Sequence, residues 1–339
     1  MQIPARQPVA GTPPVTTDAA RLLVVIVNFR TRQLTLDCLD GLYAGEETAF
    51  PALVVDNTPE TAEQTSLNLA LAERDWKSVS VWPLLENKGF AAGNNAAIRP
   101  ALDSDSPPEY VLLLNPDTVP RKGAVSSLLE FMDAHIDVGI AGSRLEDPDG
   151  TPQISAFRFP SIGTELVWAL RLGILSRMFP QWVIAPPVKD SAGPTDWVAG
   201  ASMIVRRAVF EDIGLMDEAF FLYFEEVDFC RRARDAGWPC WYVPESRVVH
   251  LVGASSEISD ARKHRKQRPR YWFDSRRRYF LKHHGFLYTA LADAAWIKGF
   301  AFWRFRRWLQ RKPDTDPPHL LGDFIRNSVW LRGGKFADG

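Results

Sequence analysis

The feature that most constrains the fold is a repeated alternation between short apolar runs and segments with helical spacing. The runs at 22–27, 52–55 and 110–114 are dominated by Val, Leu and Ile, without the polar alternation of a strand that has one face in water. Segments with apolar residues at helical spacing follow the first two runs. This order predicts an α/β domain with a mostly parallel central sheet flanked by helices.

Polar side chains gather where the predicted strands end, at Asn28, Asp56, Asn87 and Asp117. In open parallel sheets, ligands bind outside the carboxyl ends of the strands. The pattern therefore predicts a nucleotide-type cleft at that edge of the sheet.

Two sequence motifs bear on how such a cleft would be used. The stretch NKGFAAGNN, with Gly89 and Gly93, is not the GxGxxG of dinucleotide sites, and no GxxxxGK[ST] occurs, so neither phosphate-binding mechanism is supported. In Asn115-Pro116-Asp117, the carboxylate at the strand end suits a hard divalent cation that leaves positions for diphosphate oxygens. An ordinary turn is the alternative, because Asn-Pro and Asp are common turn residues.

The stretch 214–250 carries the densest set of candidate functional groups. An aromatic cluster precedes the acidic residues Glu225, Glu226 and Asp228, a helical segment follows them, and His250 comes just after a short apolar strand. Carboxylates at a helix start are also favoured by the helix dipole, which is the structural alternative. For Asp228 we expect helix capping.

The sequence also predicts the local structure of several further segments. The sequence around DPDG, 138–153, predicts an edge hairpin, and 161–190 is apolar but irregular, which predicts a flexible flap over the cleft. The segments 201–205 and 207–213 predict a strand and a short helix.

Composition excludes several classes of protein. A formal net charge of -1 gives the whole molecule no attraction to nucleic acid, and the three Cys residues lack the spacing of a disulfide framework or zinc site. Reduced thiols suit a cytoplasmic protein. Residues 1–20 are rich in Pro, Thr and Ala without an apolar core, which predicts a disordered leader and no signal peptide.

The last third of the chain is basic and aromatic. Residues 261–284 are strongly basic, but no nucleic-acid-binding motif accompanies them. In 286–312, Trp and Phe are interleaved with Lys and Arg, as in a helix that lies at a membrane surface; packing on the catalytic domain is the alternative. Residues 319–331 predict a second short surface helix. We therefore divide the chain into a leader (1–20), a catalytic domain (21–255) and a helical C-terminal extension (256–339).

The order of the motifs resembles that of a known family. VVIVNF, LVVDN, ENKGFAAGNNAAI, YVLLLNPDT, VAGASMIVRR, GLMDEAFFLYFEEVDFCRRARDAGW and VVH occur in the order found in family 2 glycosyltransferases of the GT-A fold, across 21–253. They are most similar to the bacterial rhamnosyltransferase-like branch, which elaborates cell-surface glycans. The resemblance implies an inverting enzyme that uses Mg²⁺ or Mn²⁺ and moves a sugar, most simply rhamnosyl from dTDP-rhamnose, to a glycan or lipid-linked acceptor. It also implies a cytoplasmic location at the inner face of the cell membrane, with a homo-oligomer left open.

The resemblance assigns roles on the donor side. Asp56 matches the acidic residue that binds the nucleobase, and Asn115-Pro116-Asp117 stands where the family often has Asp-x-Asp, with one charge fewer. Asp117 and His250 match the metal ligands. The implied donor-binding residues are Asn28, Arg30, Asp56, Asn87, Gly93, Asn94, Asn115 and Asp117.

On the acceptor side, Glu226 matches the catalytic base. Many relatives have Glu-Asp here, whereas this chain has Glu225-Glu226, which is one methylene longer at the base. Glu225, Asp196 and Trp197 are the implied acceptor-binding residues. An aromatic wall of Trp197, Phe221 and Tyr223 could stack on the acceptor, but we expect at least two of the three to pack in the core.

Two other classes of function remain open from the residues. A nucleotidyltransferase that makes nucleotide sugars would need a Gly/Arg/Lys-rich triphosphate loop near the first strand, and 28–31 offers none. A non-catalytic glycan-binding homologue is disfavoured because Asp117, Glu226 and His250 are all present.

Overall fold

A computed structural model describes residues 21–45, 50–59, 61–74, 76, 78–251 and 266–336. The predicted leader, and the basic residues 261–265, lie outside this part of the chain. The strands are β1 Leu22–Asn28, β2 Ala52–Asp56, β3 Val79–Pro83, β4 Tyr110–Leu114, β5 Thr118–Pro120, β6 Ile140–Glu146, β7 Ala156–Phe157, β8 Gly193–Thr195, β9 Trp197–Val198, β10 Ser202–Arg206 and β11 Cys240–His250. The helices are α1 Arg32–Gly45, α2 Thr61–Ala72, α3 Phe90–Leu102, α4 Ala124–Ala134, α5 Ile162–Leu170, α6 Gly173–Met178, α7 Arg207–Ile213, α8 Glu225–Asp235, α9 Arg270–Leu309, α10 Leu320–Asn327 and α11 Val329–Arg332.

The described residues form a nine-stranded, mostly parallel sheet. Its order is β3-β2-β1-β4-β10-β6-β11-β5, with β8 also paired to β11. Strands β3, β2, β1 and β4 run parallel, β10 is antiparallel to both of its neighbours, and β6 and β11 are parallel again. A separate pair, β7 and β9, completes the strand structure of this part of the chain. The predicted α/β class is confirmed.

The core explains why the apolar runs become central strands. Every residue of β1, β2 and β4 is buried, because α1 and α4 cover one face of the sheet while α3 and α8 cover the other. Alternate residues of β1 enter the two core layers: Val24 and Ile26 pack with Leu39, whereas Val25 and Val27 pack on the side of α3. Continuous apolar sequence is the expected signature of such a doubly covered strand.

Strand register brings the predicted polar residues together. Asn28 and Asp56 are paired at the carboxyl ends of β1 and β2, and His250 pairs with Thr118, next to Asp117. Residues far apart in sequence therefore meet at one edge of the sheet.

The edge hairpin predicted for 138–153 is wrong in its position. The DPDG turn forms, with the Gly150 N–H donating to the Asp147 carbonyl oxygen at 2.8 Å, but β6 lies between β10 and β11 in the sheet interior. Six of its seven residues are buried, so it has the near-continuous burial of an interior strand.

The irregular conformation predicted for 161–190 is also wrong, although the segment does line a cavity beside Glu226. The segment contains α5 and α6, and Ser161 caps α5 in a capping box with Thr164. Helix α5 packs closely along α9, where a Cβ on Gly299 would lie 3.0 Å from Cβ of Ala169. The small residue in α9 permits this contact, which the local sequence of 161–190 does not reveal.

The C-terminal extension packs on the catalytic domain with one side. Helix α9 is kinked at Gly285, which has φ 75° and ψ 178°. Before the kink, Tyr279 and Phe280 join the main core; after it, Trp296 and Phe300 pack with α5 and α10. Within the described ranges, no helix is long and apolar enough to span a membrane.

Candidate active site

The predicted nucleobase residue lies in a hydrogen-bonded pair at the strand ends. Asn28 Nδ2 donates to Asp56 Oδ1 at 2.9 Å, and the Thr58 N–H donates to the same oxygen at 3.2 Å. Asp56 is buried, and its second oxygen, Oδ2, has no hydrogen-bond partner among the described residues. Arg30 sits in the left-handed region at φ 54°, with an exposed side chain over the ring of Phe29. The pair leaves one buried carboxylate oxygen available to a ligand.

Asn57 is a site residue that the sequence analysis did not single out. Its Nδ2 donates to Asn87 Oδ1 at 2.9 Å and to the Gly89 carbonyl at 3.2 Å, while its buried Oδ1 lacks a partner in the described chain. Asn87 Oδ1 also accepts from the Gly89 N–H at 2.9 Å. The only sequence signal for Asn57 was its position directly after Asp56.

Gly93 and Asn94, two of the implied donor-binding residues, are part of a helix. Both lie inside α3, where Asn94 Nδ2 donates to the Phe90 carbonyl at 2.9 Å. A Cβ on Gly93 would lie 2.8 Å from Val27 Cγ1, so this glycine allows α3 to approach β1. Close helix–strand packing therefore accounts for the glycine.

The two predicted metal ligands are neighbours. His250 Nε2 lies 3.8 Å from Asp117 Oδ1, and His250 Nδ1 lies 3.1 Å from Gln153 Oε1. Gln153 Nε2 donates to the His250 carbonyl at 2.9 Å, which orients its amide oxygen towards the ring. Nδ1 therefore carries the ring proton and Nε2 presents its lone pair to Asp117. Gln153 had no sequence signal.

Burial lowers the pKa of His250, although the Asp117 carboxylate opposes this effect. A neutral imidazole beside a carboxylate is a mixed nitrogen and oxygen donor set that suits Mn²⁺ or Mg²⁺. No group of three or more His, Cys, Asp or Glu side chains that could hold a metal occurs within the described ranges. The residues present thus fit a cation whose remaining ligands come from diphosphate oxygens or water.

The first turn of α8 carries two glutamates whose pKa values are raised by burial. Tyr223 and Phe224 both have φ 68°, a left-handed conformation that costs a bulky residue about 1–3 kcal/mol. Burial raises the pKa of Glu226 to about 7. Burial, and then the charge of Glu226, raise the pKa of Glu225 well above its ordinary value. Burial therefore favours the protonated form of Glu225, and the pKa of Glu226 lies close to neutral pH.

Glu226 lines a cavity of about 260 Å³ between α5, α8 and the start of α9. Four indole rings contribute to its wall, those of Trp168, Trp197, Trp272 and Trp296. The cavity places the predicted base in an aromatic environment, which is common in sites that bind sugar rings by their apolar faces.

The other residues predicted for the acceptor side lie in three different places. Trp197 lines the cavity of Glu226, with Nε1 donating to the Arg158 carbonyl at 2.9 Å and its ring stacked on Phe157. Asp196 lines a neighbouring cavity, where Oδ2 accepts from the Phe159 N–H at 2.8 Å. Phe221 and Tyr223 do not pack into the core: Phe221 is 39% exposed, and both rings contact Tyr271.

Asp228 is not the helix cap that we expected. It is fully buried and accepts from Arg232 Nε at 2.9 Å, His283 Nε2 at 2.8 Å and Lys282 Nζ at 2.8 Å. Position 228 lies inside the first turn of α8, so its carboxylate points to α9 instead of back to the helix end. The residue ties the C-terminal extension to the catalytic helix.

Several buried polar atoms that have no partner in the described chain lie at this site. In folded proteins most buried polar atoms are hydrogen-bonded, so a cluster of exceptions indicates groups that a ligand completes. Within the described chain, the unpartnered oxygens at the strand ends and at the start of α8 belong to Asp56, Asn57, Asn115, Glu225 and Glu226. All five residues offer hydrogen-bond acceptor oxygens, and Glu225 can also donate a hydrogen bond when it is protonated.

The sheet order and the acidic strand ends define a glycosyltransferase of the GT-A fold. Residues 20–269 match the sequence profile of the family described as Glycosyltransferase like family 2. The chain belongs to this family, and it is a hexosyltransferase.

Two of the similar proteins are named as rhamnosyltransferases. The chain is 28% identical to the N-acetylglucosaminyl-diphospho-decaprenol L-rhamnosyltransferase of Mycobacterium tuberculosis, across 86% of this chain and 88% of that protein. It is 27% identical to rhamnosyltransferase WbbL of Escherichia coli K12, across 48% of this chain and 61% of that protein.

Solved structures share the fold at low sequence identity. The mannosyltransferase PcManGT of Pyrobaculum calidifontis, solved with GDP-Man and Mn²⁺, has a TM-score of 0.53 at 13% identity, covering 98% of this chain and 92% of its own. GalNAc-T7, solved with UDP, GalNAc and Mn²⁺, has a TM-score of 0.51 at 14% identity, covering 91% of this chain and 55% of its own.

Proposed function

We propose that the protein transfers a rhamnosyl group, with inversion, from dTDP-rhamnose to a lipid-linked glycan acceptor. The observation that carries this proposal is the cluster of buried, unpartnered acceptor oxygens at the carboxyl ends of the strands and at Glu226. The rhamnosyltransferase names of the relatives support the choice of sugar, and the diphospho-decaprenol name supports a lipid-linked acceptor.

The donor base would bind at Asp56. An ionised carboxylate only accepts hydrogen bonds, so the free Oδ2 suits the imide N–H of thymine or uracil and disfavours cytosine, whose ring nitrogen is itself an acceptor. Asn28 holds the other oxygen, which fixes the plane of the carboxylate. Asn57, Asn87, Asn115 and Arg30 would contact the nucleoside and diphosphate, whereas Gly93 and Asn94 support that wall through α3.

Asp117 and His250 would hold Mg²⁺ or Mn²⁺ beside the diphosphate. Such an ion, when bound, would stabilise the negative charge that develops on the departing nucleoside diphosphate. The chain's own contribution is orientation, since Gln153 fixes the ring of His250 with Nε2 towards Asp117. Asn115 adds no charge at this position, which leaves one protein carboxylate at the cation.

Glu226 would remove the proton from the acceptor hydroxyl. Its pKa of about 7 keeps a substantial ionised fraction at neutral pH while retaining more basicity than an ordinary carboxylate. The hydroxyl oxygen forms the bond to the anomeric carbon as the bond to the diphosphate oxygen breaks, and the proton moves to Glu226. Protonated Glu225 would donate a hydrogen bond to the acceptor, and Trp197 would stack on its ring.

The outer side of α9 would contact the membrane. Phe302, Phe305 and Trp308 are each about half or more exposed, at 48%, 56% and 71%, and exposed Lys298 and Arg304 lie on the same helix. Apolar rings beside cationic side chains are the composition of an interfacial helix on an anionic surface. Flotation with anionic liposomes at low salt tests this proposal. Recovery of the protein entirely in the bottom fraction would contradict it.

A donor screen by nucleotide release tests the proposed reaction. Purified protein with Mn²⁺ would be given dTDP-rhamnose, UDP-galactofuranose, UDP-glucose and GDP-mannose, each with and without a membrane lipid extract. We expect extract-dependent release from dTDP-rhamnose that EDTA abolishes. Release from another donor would refute the rhamnosyl assignment, and release that EDTA leaves unchanged would refute the metal assignment.

A further inference from the structure

The cavity that contains Glu226 also contains an arginine that has no carboxylate partner among the described residues. Arg268 precedes α9 and lines the same cavity of about 260 Å³. Its side chain is half-buried, Nε is fully buried without a hydrogen bond, and the structure gives its guanidinium no ion pair within the described residues. A sheltered cation without a counter-charge is costly unless a ligand supplies one.

A second arginine in the same cavity shows the contrast. Arg276 donates to Glu165 at 2.7 Å and to Asp293 at 2.6 Å, so two carboxylates compensate its charge. Its role in holding α5 to α9 is therefore accounted for inside the protein. Arg268 has no comparable structural role.

The guanidinium of Arg268 is held in place by an aromatic ring. Its Cζ lies 4.4 Å from the centroid of the Trp272 ring, in a cation–π contact. This contact holds the guanidinium over the ring and leaves its N–H groups available to donate hydrogen bonds. A planar edge with several N–H donors matches the geometry of phosphate oxygens.

We propose that Arg268 binds a phosphate group of the acceptor, so that the acceptor is a sugar joined through phosphate to an apolar tail. This inference rests on the proposed function. Arg268 and Glu226 line one cavity, which suits a sugar hydroxyl at the base and the phosphate of the same molecule at the arginine. At about 260 Å³ the cavity is smaller than the roughly 300–1,000 Å³ of pockets for drug-sized ligands, so the rest of the tail would lie outside it.

The tail has an apolar exit on the side of α5 and α9. Trp168 and Trp296 line the cavity, their rings are stacked with centroids 6.0 Å apart, and Trp168 is partly exposed. The same two helices lead to the exposed rings of Phe302 and Phe305. An isoprenoid chain leaving the cavity here would pass directly to the surface that we propose contacts the membrane.

Binding of farnesyl diphosphate tests the inference without any turnover. The full-length protein would be titrated calorimetrically, in EDTA and below the critical micelle concentration, with farnesyl diphosphate, with farnesol and with dTDP. The variants are Arg268→Gln, Arg268→Lys and the control Arg270→Gln, an exposed arginine at the same helix end that pairs with Asp274. Because Arg268 has no hydrogen bond or ion pair to lose among the described residues, Arg268→Gln gives up only the contact with Trp272 and is expected to fold; Arg268→Lys provides a second, more conservative variant.

We expect Arg268→Gln to weaken farnesyl diphosphate binding about ten- to hundredfold, as for loss of a hydrogen bond between charged groups. Arg268→Lys should fall between wild type and Arg268→Gln, and Arg270→Gln should bind as wild type does. Farnesol should bind more weakly, with equal affinity for all four proteins. Affinity for dTDP should be the same throughout, because that phosphate belongs to the donor.

Three results would overturn the inference: no farnesyl diphosphate binding to wild type, equal affinity in Arg268→Gln, or an equal loss in Arg270→Gln. A loss of dTDP affinity in Arg268→Gln would assign the arginine to the donor diphosphate and also refute it. Failure of the proposed function would look different. In that case wild type would release no nucleotide from dTDP-rhamnose, but it would still bind farnesyl diphosphate in a way that depends on Arg268.

Discussion

Glu226→Gln is predicted to inactivate the enzyme and, at alkaline pH, to stabilise it. The carboxyl has a pKa of about 7 in the folded protein because it is buried, whereas an unfolded chain gives it the ordinary value of 4.5. The folded state therefore binds more protons than the unfolded state between these two values, and stability falls as pH rises through that window. A tenfold difference in acid dissociation is worth about 1.4 kcal/mol, so the ionised side chain costs about 3 kcal/mol at pH 8.

Glutamine keeps the shape but never ionises, so it removes this cost. We expect Glu226→Gln to raise the free energy of unfolding by up to about 3 kcal/mol at pH 8, by about 1 kcal/mol at pH 5, and not at all below pH 4. Urea denaturation across this pH range measures the difference. Glu130→Gln, an exposed position on α4, is the control and should change stability by less than about 0.5 kcal/mol.

Although Glu226→Gln should raise stability, it should lower catalytic activity. Loss of a general base typically costs about 10²–10⁴-fold in rate, and wild-type kcat/KM should fall about tenfold for each pH unit below 7. Glu225→Gln imitates the protonated form that burial favours for Glu225, so it should keep activity within about tenfold. An unfolding free energy for Glu226→Gln that is no higher than wild type at pH 8, or that differs by the same amount at pH 5 and pH 8, would refute the reasoning.

Three further substitutions test the supports of the site. Gly89→Ala should destabilise the protein in thermal denaturation by more than Gly123→Ala, since both glycines have positive φ but only Gly89 would place a Cβ 2.0 Å from a carbonyl oxygen; equal effects would contradict this. Asp293→Asn should lower the free energy of unfolding in denaturant by about 3–5 kcal/mol, because it breaks a buried ion pair and leaves Arg276 with Glu165 alone; a loss below about 1 kcal/mol, as for an exposed pair, would contradict this. Gln153→Leu should weaken Mn²⁺ binding in the presence of dTDP about 10–100-fold by releasing His250, and unchanged affinity would remove Gln153 from the site.

The part of the candidate site at the strand ends was largely predictable from the sequence. Buried strands that end in polar residues specify both the sheet and its ligand-binding edge, and the register then brings Asn28 to Asp56 and His250 to Asp117. These contacts follow from topology, because parallel strands end on the same side. The contact of Gly93 with Val27 joins two distant parts of the chain, so the sequence motif alone does not specify it.

The acceptor half depends on contacts that local sequence does not contain. Helix α5 was predicted as irregular because its pairing with α9, some 130 residues later, gives it its place. Arg268 is one of many arginines in a basic run. It differs from Arg276 in having no carboxylate partner among the described residues. Asp228 lies beside two catalytic candidates in sequence, yet its carboxylate serves the ion pairs with α9.

Mass analysis of the acceptor after reaction tests the central claim most directly. Wild type and Glu226→Gln would be incubated with dTDP-rhamnose, Mn²⁺ and an N-acetylglucosaminyl-diphospho-polyprenol of short chain length. We predict that wild type adds one deoxyhexose to the acceptor, with the anomeric configuration inverted relative to the donor, and that Glu226→Gln adds almost none while still binding dTDP. Equal transfer by both proteins, or a product that retains the donor's anomeric configuration, would contradict the account.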